Sequence, residues 1–269
     1  MKKRYMVIDV CFQIYNCPHV NWKLFETEKK EMDFSIFVLS NKGEIHGMEY
    51  INIIGNWKHI IRRESDIMLT DANWKTGVIL PLWKKMHLSN FLCQFFYTCV
   101  VQRHILYLHS SLINYQRHGL MFLGPSGIGK TTQAELWNQY RDALIINGDV
   151  VFVQETSETF LGWGTPWHGS SPYCENANVP VYAMIVLKQA SENSIRELTG
   201  FEKVTAVSNS VFYPRWLKNG MELCLETLDH FLTRIPVYEL SCRPDEDAVK
   251  LTEETVFGRN FMPSNIIRI

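Results

Sequence analysis

The sequence predicts an α/β fold in which a β-rich N-terminal region, residues 1–104, precedes an α/β domain, residues 105–269. Three observations carry this. Residues 1–80 hold runs of β-branched and aromatic residues and few helix signals. At 85–103 the apolar spacing changes to three and four, the period of an amphipathic helix. Between 119 and 140 a short apolar run, a glycine-rich loop and a helical segment follow one another.

The 269 residues suffice for one large domain or two modest ones, and 46% hydrophobic with 20% charged residues is an ordinary globular composition. A net charge of −1 without a long basic run argues against a nucleic-acid partner. The seven cysteines, Cys11, Cys17, Cys93, Cys99, Cys174, Cys224 and Cys242, form no C-x-x-C pair. No disulfide framework or zinc site is expected, and a cytoplasmic location is the economical expectation. The most apolar stretch, 91–101, is too short to span a bilayer, so no membrane partner is expected. Residues 5–10 are too short for a signal-peptide core, and Asp9 interrupts them.

In the N-terminal region strands are expected at 5–14, 34–39, 45–54 and 76–80, with a hairpin turn at Asn41-Lys42-Gly43. It contains no phosphate-type loop and no acid cluster, so it suits an accessory or substrate-recognition role. Trp22, Trp57, Trp74 and Trp83 suit packing of a small sheet. Leu88, Phe91, Leu92, Phe95, Cys99 and Val100 mark the helix of 85–103, expected to pack on the domain that follows. Residues 105–113 form a strand with Tyr107, His109 and Ser111 on one face. Arg117-His118-Gly119 turns into the strand at 120–123, and a helix is expected from 132 to about 140. A strand at 143–146 ends in Asn147-Gly148-Asp149, and another runs from 150 to 153. Residues 161–178 are expected to be a long functional loop. Strands at 181–187 and 194–198 are expected to pair. Residues 201–217 are weakly helical, and Met221, Leu225, Leu228, Leu232 and Ile235 form a firm helical stripe. A strand at 237–242 and a helix at 245–257, with Pro244 at its entry, close the domain.

Residues 124–131, Gly-Pro-Ser-Gly-Ile-Gly-Lys-Thr, fill the pattern G-x-x-x-x-G-K-[ST] between strand and helix. Glycines there let consecutive N–H groups face an anion, and the helix start adds its positive dipole end. The expected ligand is a nucleoside triphosphate held by Gly124, Ser126, Gly127, Ile128, Gly129, Lys130, Thr131 and Thr132. Lys130 would reach the β- and γ-phosphates, and the Thr131 hydroxyl would ligate Mg²⁺. Asp149, at the strand end after the loop helix, is the candidate second metal ligand, although an Asp in a β-turn reads the same way. His109, on a strand expected to neighbour the loop strand, is either a structural hydrogen-bonder or a member of the site. His168 and Glu175 are lesser candidates in the long loop. Trp163 and Trp167 would either cover a ligand or pack.

These pieces together resemble the HPr kinase/phosphorylase-like superfamily, in particular HPr-kinase-related proteins found with peptide-maturation genes. The resemblance rests on Leu108-His109-Ser110-Ser111-Leu112-Ile113, the 124–132 loop, the strand leading to Asp149, and Gly164-Thr165-Pro166-Trp167-His168-Gly169. It covers about 105–257, the 235–245 segment included. It implies a P-loop kinase domain related to phosphoenolpyruvate carboxykinase, with ATP and Mg²⁺ as cofactors. It implies phosphorylation of a serine on a peptide or small-protein substrate, and it allows a homo-oligomer. Carried over, Lys130 binds phosphate, Thr131 and Asp149 hold Mg²⁺, and His109 lies beside the transferred phosphoryl, making His109, Asp149 and Lys130 the catalytic set. The sequence departs where the family usually carries a first acid, thought to be the base: that position is Gly148. A catalytically weakened nucleotide-binding regulator is therefore the alternative, with Gly148→Asp its natural test. A transport-type or switch NTPase ranks last, since no Leu-Ser-Gly-Gly-Gln or Asn-Lys-x-Asp motif is present.

Overall fold

Residues 5–14, one apolar run in the sequence, fold as two strands. Strand β1 (Lys2–Val7) turns at Ile8 and Asp9, both at positive φ (50° and 58°), into β2 (Val10–Tyr15). Two successive left-handed residues give a turn whose twist suits a hairpin. Ile8 is a residue type that normally avoids this conformation, so the sequence carries no turn signal there. The computed structural model describes residues 2–17, 20–39, 43–45, 48–50, 53–80 and 85–258. It is a mixed α/β structure of two compact units, Met1–Val100 and Val101–Ile269.

The first unit continues with β3 (Phe34–Val38), a small hairpin of β4 (Gly43–Ile45) and β5 (Met48–Tyr50), then β6 (His59–Arg63), β7 (Asp66–Thr70), β8 (Thr76–Leu80) and α1 (Lys85–Val100). Its six-stranded sheet has the order β1-β2-β3-β8-β7-β6, with β3 parallel to both neighbours. The expected 45–54 strand is thus replaced by a separate hairpin, and Asn41, Lys42 and Trp83 lie outside the described residues. The β6–β7 hairpin had no sequence signal, because β6 leaves Ile60 exposed and adds Arg62 and Arg63. Helix α1 covers its own unit's sheet: Phe95 lies 4.9 Å from Phe34 and 5.4 Å from Trp74, and Phe96 5.8 Å from Phe12, centroid to centroid. The approach is close enough that a Cβ at Gly77 would stand 2.6 Å from the Phe95 ring.

The second unit runs β9 (Ile105–Tyr115), β10 (His118–Leu123), α2 (Lys130–Arg141), β11 (Leu144–Asn147), β12 (Val150–Glu155), β13 (Phe160–Trp163), β14 (Asn178–Gln189), β15 (Ser194–Leu198), α3 (Gly200–Ser208), α4 (Gly220–Arg234), β16 (Val237–Cys242) and α5 (Glu246–Phe257). Two long strands organise it. β9 pairs with β12 over Ile105–His109 and with β10 over Ser110–Tyr115. β14 pairs with β13 at its start, then lies parallel to both β10 and β16. Trp137 and Ala134 of α2, Ala248 and Val249 of α5, and Leu120, Phe122, Ile185 and Leu240 of the sheet share one core.

β14 and β15 do not pair as expected; β16 stands between them. β15 buries only Leu198, so it serves as an edge, whereas β16 buries Val237, Leu240 and Cys242 and takes the interior position. β13 shortens the expected long loop, which begins at Gly164. Of the 201–217 stretch only α3 is regular. Helix α4 buries Cys224, Leu228, Phe231 and Leu232 but leaves Leu225 exposed, so its apolar face is rotated from the expected stripe. No disulfide joins the described cysteines. Among the described residues no helix is long and apolar enough to cross a membrane.

Candidate functional site

The strand pairing brings the sequence candidates together. β10 ends at Leu123, opposite Ser110 of β9. β12 begins at Val150, opposite the next β9 residue, His109. The glycine loop leaving β10 and the turn entering β12 therefore meet at one point on β9. A register shift between Ile145 and Asn147 lets β11 leave β9 as a bulge, a device that commonly re-aims a side chain. Asp149 follows in the turn between β11 and β12. Its Oδ1 lies 2.9 Å from His109 Nε2, with both side chains about 30% exposed (28% and 31%). The backbone closes the arrangement: Ser110 N–H donates to Asp149 O (3.1 Å) and His109 N–H to Ser210 O (2.8 Å).

In the loop Gly124, Gly127 and Gly129 take φ of 139°, 79° and 114°. Any side chain at these φ values would be strained, whatever the space around it. Gly129 leads directly into α2, whose first N–H groups stay free of intrahelical partners. Lys130, 6% exposed, folds back so that Nζ donates to Gly124 O (3.1 Å) and Pro125 O (3.2 Å). Burial pushes its pKa below the ordinary lysine value, and the Asp149 carboxylate works against that shift. Ser111 Oγ donates to Lys130 O (3.0 Å) and so fixes the helix start to β9. Thr131 Oγ1 donates to Gly148 O (3.1 Å), which puts the hydroxyl one residue from the acid. A hydroxyl and a carboxylate are hard oxygen donors of the kind Mg²⁺ takes. Among the described residues no three His, Cys, Asp or Glu side chains gather as a metal site.

Two cavities flank the loop. One of about 820 Å³ is lined by His109, Gly124, Pro125, Phe201, Thr205 and Ser210 among others. The other, about 370 Å³, lies against Gly127, Gly129, Thr132, Gln133, Arg243 and Pro244. Ile128 borders both, and Ser126 is an exposed loop residue.

The long loop contributes differently from expectation. His168 Nδ1 bonds Ser171 O within the loop. Glu175 donates its backbone N–H to Ile146 O (2.9 Å). Trp163 Nε1 donates to Gln154 Oε1 (3.0 Å), and Trp167 is buried beside Phe152, so both tryptophans pack. Gly169 (φ 57°) lies on the Asp149 carboxylate: a Cβ there would overlap Oδ2. At Gly148 the space a side chain needs is filled by Ser171, whose Cβ is 2.6 Å from where the Gly148 Cβ would stand.

Two residues escaped the sequence reading, Asn147 and Ser171. Asn147 had a detectable signal, since Asn commonly bonds the backbone two residues on, and Asp149 N–H donates to Asn147 Oδ1 (2.9 Å). Ser171 had none, being brought to Gly148 by the fold.

No protein-family model matches the chain, and no curated protein matches it. Among solved structures it is similar to the Hpr(Ser) kinase/phosphatase from Coxiella burnetii, at 10% identity and a TM-score of 0.34, over 55% of this chain and 95% of that one. This is a distant likeness of fold, and the function is argued from the side chains.

Proposed function

We propose that the second unit binds ATP at the 124–131 loop and transfers its terminal phosphoryl to a serine hydroxyl of a peptide or small protein. The observation that carries this is the His109–Asp149 contact at the mouth of the glycine loop, with Lys130 and Thr131 beside it. The loop supplies N–H groups for an anion, Lys130 a cation, and His109 a donor at the exposed end. The reading makes the resemblance to HPr-kinase-type P-loop kinases one of function.

In this reading the phosphates displace the Gly124 and Pro125 carbonyls as partners of Lys130. The nucleoside lies toward the 370 Å³ cavity, next to Thr132, and the acceptor enters through the 820 Å³ cavity that His109 lines. Thr131 and Asp149 fit Mg²⁺, which would neutralise charge on the transferred group. His109 and Lys130 hold the terminal phosphoryl against a serine oxygen. Phosphoryl transfer relies mostly on positioning and charge stabilisation, so a site without a second acid still suits it.

Incubation with γ-labelled ATP, Mg²⁺ and short peptides encoded beside the gene tests the reading. Label on a serine, lost in Lys130→Ala, is the expected result; a Lys130→Ala variant as active as wild type would sink it.

Ser171 in the space beside Gly148 favours a second reading, a nucleotide-binding regulator of weakened catalysis. Loss of a base typically slows a reaction ~10²–10⁴-fold. This reading expects tight Mg²⁺–ATP binding and no transferred label with any peptide supplied.

A further inference from the structure

Asn147 is fully buried and spends its whole amide on the backbone of two different segments. Oδ1 accepts the N–H groups of Asp149 and Val150, each at 2.9 Å. Nδ2 donates to Thr165 O (3.0 Å) and Trp167 O (3.2 Å). A primary amide has two acceptor positions and two donor hydrogens, so nothing is left over. Thr165 Oγ1 closes the network, 3.1 Å from both Val150 O and Trp167 O, and it accepts the Trp167 N–H at 3.3 Å. One half of the amide therefore sets the peptide that carries Asp149. The other half holds the loop whose Gly169 forms the wall against the Asp149 carboxylate.

We propose that Asn147 is the positioning residue of Asp149, aiming its carboxylate at the phosphoryl end of the site. The proposal rests on the reading of Asp149 as the Mg²⁺-holding acid. A purely structural Asn147 would affect stability alone; a positioning Asn147 affects the metal response through Asp149. Partners that orient a metal ligand typically contribute ~10–100-fold to metal affinity.

The experiment is calorimetric titration of the full chain with ATP, once with Mg²⁺ and once with a chelator. Asn147→Ala should weaken the Mg²⁺-dependent gain in ATP affinity at least tenfold and leave metal-free ATP binding within twofold. In an Asp149→Asn background the same substitution should add nothing. Where Asn147→Ala does not fold, Asn147→Ser takes its place with the same expectation, since one hydroxyl cannot serve both N–H groups. A wild-type Mg²⁺ response in Asn147→Ala or Asn147→Ser, or an additive effect with Asp149→Asn, overturns the proposal. Wild-type protein that binds no ATP in either buffer overturns the parent reading instead.

Discussion

Gly148 and Ser171 should behave as one coupled position. A Cβ on Gly148 would stand 2.6 Å from Ser171 Cβ and nearer still to its Oγ, well inside any real contact, while Tyr173 at 3.7 Å is no obstacle. Ser171 cannot step aside freely. It is 8% exposed, its N–H donates to His168 O (3.0 Å), and its Oγ accepts the Tyr173 N–H (3.3 Å). Overpacking a tight site costs ~1–3 kcal/mol, and the strained Tyr173 bond adds about 1. Gly148→Ala should therefore destabilise by ~2–4 kcal/mol, lowering the thermal midpoint by about 5–15 °C for a unit of this size. Ser171→Gly alone should cost about 1 kcal/mol. The double variant should recover most of the Gly148→Ala loss, because the methyl then occupies the vacated space. Urea unfolding of all four proteins gives the coupling, expected at ~1–3 kcal/mol. Additive effects, within about 0.5 kcal/mol, would refute the packing argument. Gly148→Asp alone is for the same reason a poor test of a lost base: the acid has no room until Ser171 is shortened. Gly148→Asp with Ser171→Gly is the informative variant, and a rise in labelled product from it would favour the regulator reading.

Two stability predictions concern the sheet and helix that frame the site. Glu239 is desolvated, which alone would raise its pKa, yet bonds to Lys188 and Arg196 hold it below the usual 4.5. A depressed carboxylate contributes stability that is complete above its ordinary pKa and lost as pH falls through the folded value. The wild-type urea midpoint should thus fall below about pH 4.5, more steeply than that of Glu239→Gln; parallel profiles would contradict the assignment. Asp245 caps α5, its side chain accepting from Ala248 N–H (3.0 Å), and also receives Asn193 and Arg243. Asp245→Ala should cost about 1 kcal/mol in urea unfolding, as loss of an N-cap does, and an unchanged midpoint would exclude that role.

Elements whose signal is local were legible in the sequence. β8, β16 and the span of α5 follow from β-branched runs and from helix entry at Pro244-Asp245. The glycine loop and the β9–β10 neighbourhood that brings His109 near it were legible for the same reason. What needed the fold depends on partners far along the chain. The placement of β16 between β14 and β15 is decided by which strand can be buried on both faces. The Ile8-Asp9 turn defeats residue preference because pairing of β1 with β2 overrides it. Trp163 and Trp167 carry no marker of whether they cover a ligand or pack; Gln154 and Phe152 decide it.

The position of His109 follows from the pairing of β9 along its two edges. Along one edge β9 pairs with β12 up to His109 and with β11 at Leu112–Asn114; along the other, Ser110–Tyr115 pair with β10. At this level β10 ends on one edge of β9 and β11 gives way to β12 on the other, and the carboxyl end of a strand is where α/β folds place ligands. Leu123 of β10 lies on one side of β9 and Val150 of β12 on the other. The 124–131 loop and the 147–149 turn therefore both emerge at this level of β9. Thr131 bonded to Gly148 O, Ser111 bonded to Lys130 O and Ser110 N–H bonded to Asp149 O tie the three segments within a few residues of one another. A movement of any one of them is thereby felt by the other two. The consequence is that Lys130 and Asp149, 19 residues apart in the chain, share one rigid frame. The frame is built from backbone bonds and the Thr131 and Ser111 hydroxyls, so it tolerates changes in exposed side chains of the flanking cavities. It should not tolerate an inserted residue at Asn147-Gly148-Asp149, because a one-residue slip turns every side chain of β12 to the opposite face.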